Sequence, residues 1–238
     1  MTVDGQDVKE YGVQQWNLEH DYSQLSNESE WPDGAVSPLI LQSTIGFKKI
    51  KATIMIRGSD RKEIWEKAGR FIANLLTPRE YSFDGFNGHY FYGYLKNASQ
   101  AETCLQRWHK ATLELCGYEY GELTQADSEK NVITLTNAGT LLTPAIVKIT
   151  PVINLTDITL TGLVRNATTG EEKNITVKNL TNGKTVIIDG ETGLITENGI
   201  NKYSDVDLWD LPSLVPGINK ITANKDINIT VQYKPRYF

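Results

Sequence analysis

From Ile45 to Arg57 apolar and polar positions alternate, with Ile50, Ala52, Ile54 and Ile56 on one side and Lys49, Lys51, Thr53 and Arg57 on the other. A period of two with one apolar side is the pattern of a half-buried strand. Gly58 breaks it, and Ser59 stands where a helix N-cap is expected, with Asp60 and Glu63 placed to complement the helix dipole. The period then lengthens to that of a helix. Ile64, Ala68, Phe71, Ile72 and Leu75 recur on one stripe, and Thr77-Pro78 ends it. This is the one convincing helical pattern in the chain.

On either side the pattern predicts strands. Val8 to Trp16 has strand-like content after an Asp4-Gly5 turn signal. Residues 19–44 read as a long polar loop holding Trp31-Pro32-Asp33-Gly34 and the apolar run Pro38-Leu39-Ile40-Leu41. Such a loop in a compact domain is usually disordered or functional. Two readings stay open for Trp31 and this run: a surface for a partner, or a segment folded back on its own domain. Tyr81–Phe83 leads through the turn Asp84–Gly88 into a strand over His89–Tyr94. A longer strand follows over Thr103–Tyr118, with Ala111, Leu113 and Leu115 on one side and a phase slip near Gln106 to His109 that suggests a bulge. The aromatic run Tyr81, Phe83, Phe86, Tyr90, Phe91, Tyr92 and Tyr94 fits cross-strand pairs, with stacking on sugars or bases as the alternative.

Residues 118–131 lose this periodicity, and beyond them the composition shifts to Thr, Asn, Ile and Val. Short strands are expected at 132–136, 145–150, 158–164, 174–180, 185–189, 193–196, 220–223 and 227–233. Turn signals such as Thr169-Gly170, Asn182-Gly183, Asn198-Gly199 and Pro216-Gly217 separate them. Strands this short, with turns this frequent and no helical period, indicate a β-sandwich or barrel. The fold expected is mainly β, in two domains: residues 1–125 with the helix, and residues 126–238 as a β-sandwich.

Composition changes this picture little. The 238 residues are 39% hydrophobic and 22% charged, which places the chain in the soluble globular class. No apolar run approaches the length of a membrane span, and the polar N-terminus carries no secretory pattern. Charge is more informative. Residues 1–130 hold 19 acidic and 14 basic side chains and the remainder 10 of each, so the net charge of −5 lies in the first half. That balance argues against gripping nucleic acid, which needs clustered Lys and Arg, while allowing a surface past which DNA slides.

Candidate chemistry is sparse. Cys104 and Cys116 are too few for a disulfide framework and lack zinc spacing, and His20, His89 and His109 are scattered outside any metal or triad motif. Asp205, Asp207 and Asp210 lack the glycine and terminal glutamate of an EF-hand calcium loop and read as turn solvation. The Asn-x-Ser/Thr triplets, from Asn27 to Asn228, follow from Asn/Thr-rich strands and turns. No catalytic, cofactor or metal residue is expected. Trp209, the one tryptophan of the second half, is the candidate glycan contact.

Two stretches resemble a known family when taken together. One is IKATIMIRGSDRKEIWEKAGRFIANLLTPREYSFDG followed by HYFYGYLKNAS and ATLELCGYEYGE. The other is the ordered set Asn137-Ala-Gly139-Thr140, Pro144-Ala-Ile-Val-Lys-Ile, Ile188-Asp189, Glu197-Asn198-Gly199, Leu211-Pro212 to Ile221, and the close Val231-Gln-Tyr233-Lys-Pro-Arg236-Tyr-Phe. In this order they resemble the distal tail (Dit) proteins of siphophages that infect Gram-positive bacteria, or a prophage homologue, from about Gly5 to Phe238. Between Asn27 and Thr44 the chain departs from the family pattern, carrying Trp31-Pro32 and the apolar run.

The resemblance implies a tail-tube-like first domain whose six copies ring a channel, and a galectin-like β-sandwich projecting outward. It implies a virion structural protein, assembled in the host cytoplasm, that joins the tail tube to the tail-tip, tail-fibre or receptor-binding apparatus of the baseplate. DNA would only pass through; no cofactor, membrane or enzyme activity is implied. A carbohydrate-binding module for host cell-wall glycan is the alternative. For the subunit interface the expected residues are Trp31, Leu39 and Ile40, together with unpaired strand edges of the first domain.

Overall fold

A computed structural model describes the backbone of residues 1–104, 107–165 and 170–238, and their side chains except those of residues 40, 42 and 101–104. The chain divides into two units, residues 1–120 with Phe238, and residues 121–237.

The first unit is a twisted antiparallel sheet with one helix on it. In spatial order the strands are Gln6–Asp7, Thr2–Val3, Arg79–Ser82, His89–Cys104, Trp108–Gly121, Lys48–Arg57 and Val13–His20. Ile50, Ala52, Ile54 and Ile56 turn inward, as their alternation predicts, and meet Ala111, Leu113 and Leu115 of the neighbouring strand. The helix Arg61–Ala73 lays Ile64, Ala68 and Phe71 on this apolar face, and Leu75 completes the contact beyond its end. Its N-cap is Asp60, not Ser59: the Asp60 carboxylate accepts from the Glu63 N–H at 2.9 Å. Glu63 in turn accepts from Lys67 Nζ at 2.7 Å and from the Ser59 hydroxyl and N–H, both at 2.6 Å, and these bonds hold its carboxyl down to about 2. Two neighbouring acids thus divide the helix terminus between them, which displaces serine from the cap.

Two other expectations in this unit change. Val8–Tyr11 is a 3-10 turn, capped by the Asp7 side chain and closed by Gly12 in the left-handed region; the strand starts only at Val13. The loop expected at 19–44 contains two strands, Leu25–Glu30 and Leu39–Ile45. The bulge expected near Gln106 to His109 begins on residues outside those described; from Trp108 onward the register with Lys48–Arg57 is unbroken. A bulge is present in Val13–His20, where Trp16 is the extra residue between Gln15 and Asn17.

Where His89–Cys104 and Trp108–Gly121 lie together, the backbones approach more closely than side chains permit. A Cβ on Gly117 would sit 2.0 Å from the Tyr92 carbonyl oxygen, and one on Gly93 would sit 2.4 Å from that of Cys116. Gly117→Ala must push the strands apart, so we expect it to lower stability by about 1–3 kcal/mol, as overpacking does. Thermal melting beside Gly69→Ala, a helical position with open space, checks this.

In the second unit two antiparallel sheets share one core. One runs Thr124–Ser128, Asn228–Tyr233, Thr143–Thr150, Val186–Asp189, Ile195–Glu197, Ile200–Asn201, with Ser213–Leu214 paired onto Thr143–Thr150. The other runs Val132–Asn137, Gly217–Ala223, Leu155–Arg165, Glu172–Leu180, Val206–Asp207. Val147, Ile149, Ile188 and Val231 from the first sheet meet Leu160, Ile175, Val177 and Ile221 from the second. Each predicted strand of this half is present within a few residues of its expected ends.

Candidate assembly surface

The strands Leu25–Glu30 and Leu39–Ile45 pair only with each other, from Leu25 opposite Ile45 to Glu30 opposite Leu39, with a register shift after Glu28. They form an arm closed at its base, where the Gly46 N–H donates to the Gln24 carbonyl at 2.7 Å. At the tip the Trp31 indole N–H donates to the Ala35 carbonyl at 3.1 Å, so Trp31 is tied to the arm itself. Every residue of Leu25–Glu30 is exposed, and so are Trp31 (66%), Leu39 (55%), Leu41 and Ile45. The side chain of Ile40, the third expected interface residue, lies outside the described residues. A hairpin with two open faces is marginal in water, and this one also shows water several large apolar side chains.

At the root of the arm a charged cluster is packed into the end of the sheet. Glu119 is almost fully buried, and its Oε2 accepts from Lys48 Nζ at 2.5 Å and lies 2.9 Å from His20 Nε2; its Oε1 lies 2.5 Å from His89 Nδ1. Lys48, equally buried, also donates to the backbone oxygen of Phe238 at 2.9 Å, and the Phe238 ring stacks on Tyr22. Burial pushes the Glu119 carboxyl upward, but the bonds from Lys48, His89 and His20 outweigh it and hold the group below its ordinary value. An ionised carboxylate only accepts, so both ring nitrogens facing it carry protons. Four strands and the last residue are thus joined around one side chain. Histidines that are scattered in sequence meet here, and no spacing signals it.

The sheet face away from the helix is aromatic and basic. Tyr90 stacks on Tyr120, Tyr92 packs on Tyr118, and Phe47 meets Tyr94 edge-on. The cross-strand reading therefore describes part of the aromatic run, while Tyr81, Phe83 and Phe91 enter the core. Lys110 lies 4.2 Å above the Trp16 ring and 5.3 Å from that of Trp108. The acidic excess of the first half sits elsewhere: Glu10, Glu19, Asp21, Glu28, Glu30 and Asp33 fall in residues 10–47, which contain no Lys or Arg. That segment is the arm with its approach strand.

In the second unit Trp209 is 75% exposed beside a cleft of about 380 Å³ lined by Lys173, Asn174, Thr176, Asp207 and Leu208. Asp205, expected to solvate its turn, accepts from Asn179 at 3.0 Å and from Lys202 at 3.2 Å, and both bonds draw its carboxyl down. Among the described residues no three His, Cys, Asp or Glu side chains converge as a metal site would require. No described helix is long and apolar enough to cross a membrane.

Residues 138–237 match the family model described as siphovirus-type tail component, C-terminal domain. The fold is similar to the crystal structure of SPP1 Dit, titled a paradigm of the hub adsorption apparatus in Gram-positive-infecting phages. The TM-score there is 0.80 at 15% identity, covering 100% of this chain and 98% of that one. It is also similar to a chain of the phage P2 baseplate in its activated conformation with Ca, with TM-score 0.51 at 13% identity, covering 96% and 92% of the two chains. At these identities the likeness establishes the fold: mainly β, two domains, one helix. No curated protein sequence matches.

Proposed function

We propose that this chain, whose residues 138–237 match the siphovirus-type tail component (Dit) family model, is a structural subunit of a phage tail tip. The observation that carries the proposal is the arm. It presents Trp31, Leu39, Leu41 and Ile45 to water with no cover from its own unit, and closed homo-oligomers are the usual way such a surface is covered. Trp31, Leu39 and Ile40 are assigned to the subunit interface, with the edge strand Val13–His20 beside them.

In this reading six copies close into a ring through the tail-tube-like first unit, residues 1–120 with Phe238, and the galectin-like second unit, residues 121–237, projects outward. The ring joins the tail tube to the tail-tip and adhesion apparatus and lets DNA pass without holding it. The role is architectural and calls for no catalytic group. Similarity to a hub protein and to a baseplate component supports it.

Negative-stain microscopy and light scattering of the purified protein test the reading. Rings of about six subunits are expected. A monomer at every concentration from micromolar to millimolar sinks it.

A further inference from the structure

The segment around Trp209 lines an open cleft on the second unit. In Glu172–Leu180, Ile175 and Val177 point into the core, so Asn174 and Thr176 point outward. Asp207 lies opposite Thr176 in the ladder, on the same outer face. Leu208 packs against the core, and this anchors the extended segment so that Asp207 and Trp209, two residues apart, both face solvent. The result is an aromatic plate beside a carboxylate, an amide and a hydroxyl, with Lys173 at the margin ion-paired to Glu171 at 3.0 Å. The same sheet face continues away from the cleft in hydroxyls, where Thr159 meets Thr176 at 3.4 Å and Thr161 meets Thr222.

The chemistry of this lining selects a ligand class. A phosphate ligand would meet the Asp207 carboxylate, with one lysine already paired and no arginine in the lining. An apolar peptide would leave Asn174, Thr176 and Asp207 unpaired on burial, which is costly. A pyranose presents C–H groups on one face and hydroxyls around its rim. It can lie on the indole while Asp207, Asn174 and Thr176 bond its rim, and the volume of about 380 Å³ falls in the small-ligand range. We infer that the Trp209 cleft is a binding site for a neutral glycan, with Trp209 as stacking platform and Asp207 and Asn174 as hydroxyl-reading groups.

The test uses the full chain. Methyl glycosides of glucose, galactose, N-acetylglucosamine and N-acetylgalactosamine, and their β-linked disaccharides, are titrated by saturation-transfer NMR and calorimetry. At least one should bind saturably. Trp209→Ala should weaken it about tenfold or more, as loss of a stacking platform implies, and Asp207→Asn and Asn174→Ala should weaken it several-fold. Melting temperature and oligomeric mass should stay unchanged in all three variants. No saturable binding by any sugar up to about 20 mM, or binding that survives Trp209→Ala, overturns the assignment. Because oligomeric mass is read separately, failure of the glycan site and failure of the ring reading are distinguishable.

Discussion

Deleting residues 25–45 and bridging Gln24 to Gly46 with a short turn is expected to abolish the proposed ring and leave a single folded chain. The arm pairs with nothing in its own sheet, and its base is already closed by the Gly46 to Gln24 hydrogen bond. Val13–His20 pairs with Lys48–Arg57 along seven positions outside the arm, so the sheet survives. The deletion removes an exposed indole, a side chain that interface anchors favour, together with several exposed aliphatic side chains. Light scattering should show the mass of one chain while circular dichroism keeps its β signature. Trp31→Ala alone should cost about 2 kcal/mol per interface, as loss of a central aromatic anchor does, and should appear as dissociation on dilution. Unchanged oligomeric mass after deletion of the arm would place the interface elsewhere.

The second large effect is expected at Glu119. Glu119→Ala leaves Lys48 buried without its counter-charge and removes the acceptor from both histidines. Breaking one side of a buried pair costs about 3–5 kcal/mol, enough to unfold the first unit in a marginally stable protein. Glu119→Gln keeps one acceptor oxygen and should cost less. The pH dependence has a definite sign. The Glu119 carboxyl titrates lower in the folded protein than its ordinary value of 4.5, so its contribution is complete above that value and is lost as pH falls through the folded pKa. Melting temperatures from pH 7 to pH 3 should therefore fall less steeply below the ordinary glutamate range in Glu119→Gln than in the wild type. Acid limbs of equal slope would refute the assignment of this group.

Both effects attach to features that differ in how far the sequence discloses them. Trp31, Leu39 and Ile40 stand out as apolar residues in a polar stretch, yet the hairpin that carries them does not. A strand with no buried face has no reason to alternate, so Leu25–Glu30 and Leu39–Ile45 lack the period that reveals Lys48–Arg57. Val8–Tyr11 differs for another reason: its residues favour a strand, but the Asp7 cap and Gly12 in the left-handed region wind the segment into a 3-10 turn.

What the sequence alone determined is the part of the fold governed by local period. That comprises Ile50 to Ile56 as one face of a strand, the Ile64–Ala68–Phe71 stripe of the helix, and the strands from Val132 to Tyr233, because burial on one side imposes a repeat of two or 3.6 on the chain. What only the tertiary structure decided are the contacts between residues far apart in sequence. Glu119 meets His20 across 99 positions and Lys48 across 71, and Asp207 comes opposite Thr176 to set Trp209 beside a polar cleft. Such convergence is fixed by strand order and register, and no local pattern records which strands become neighbours.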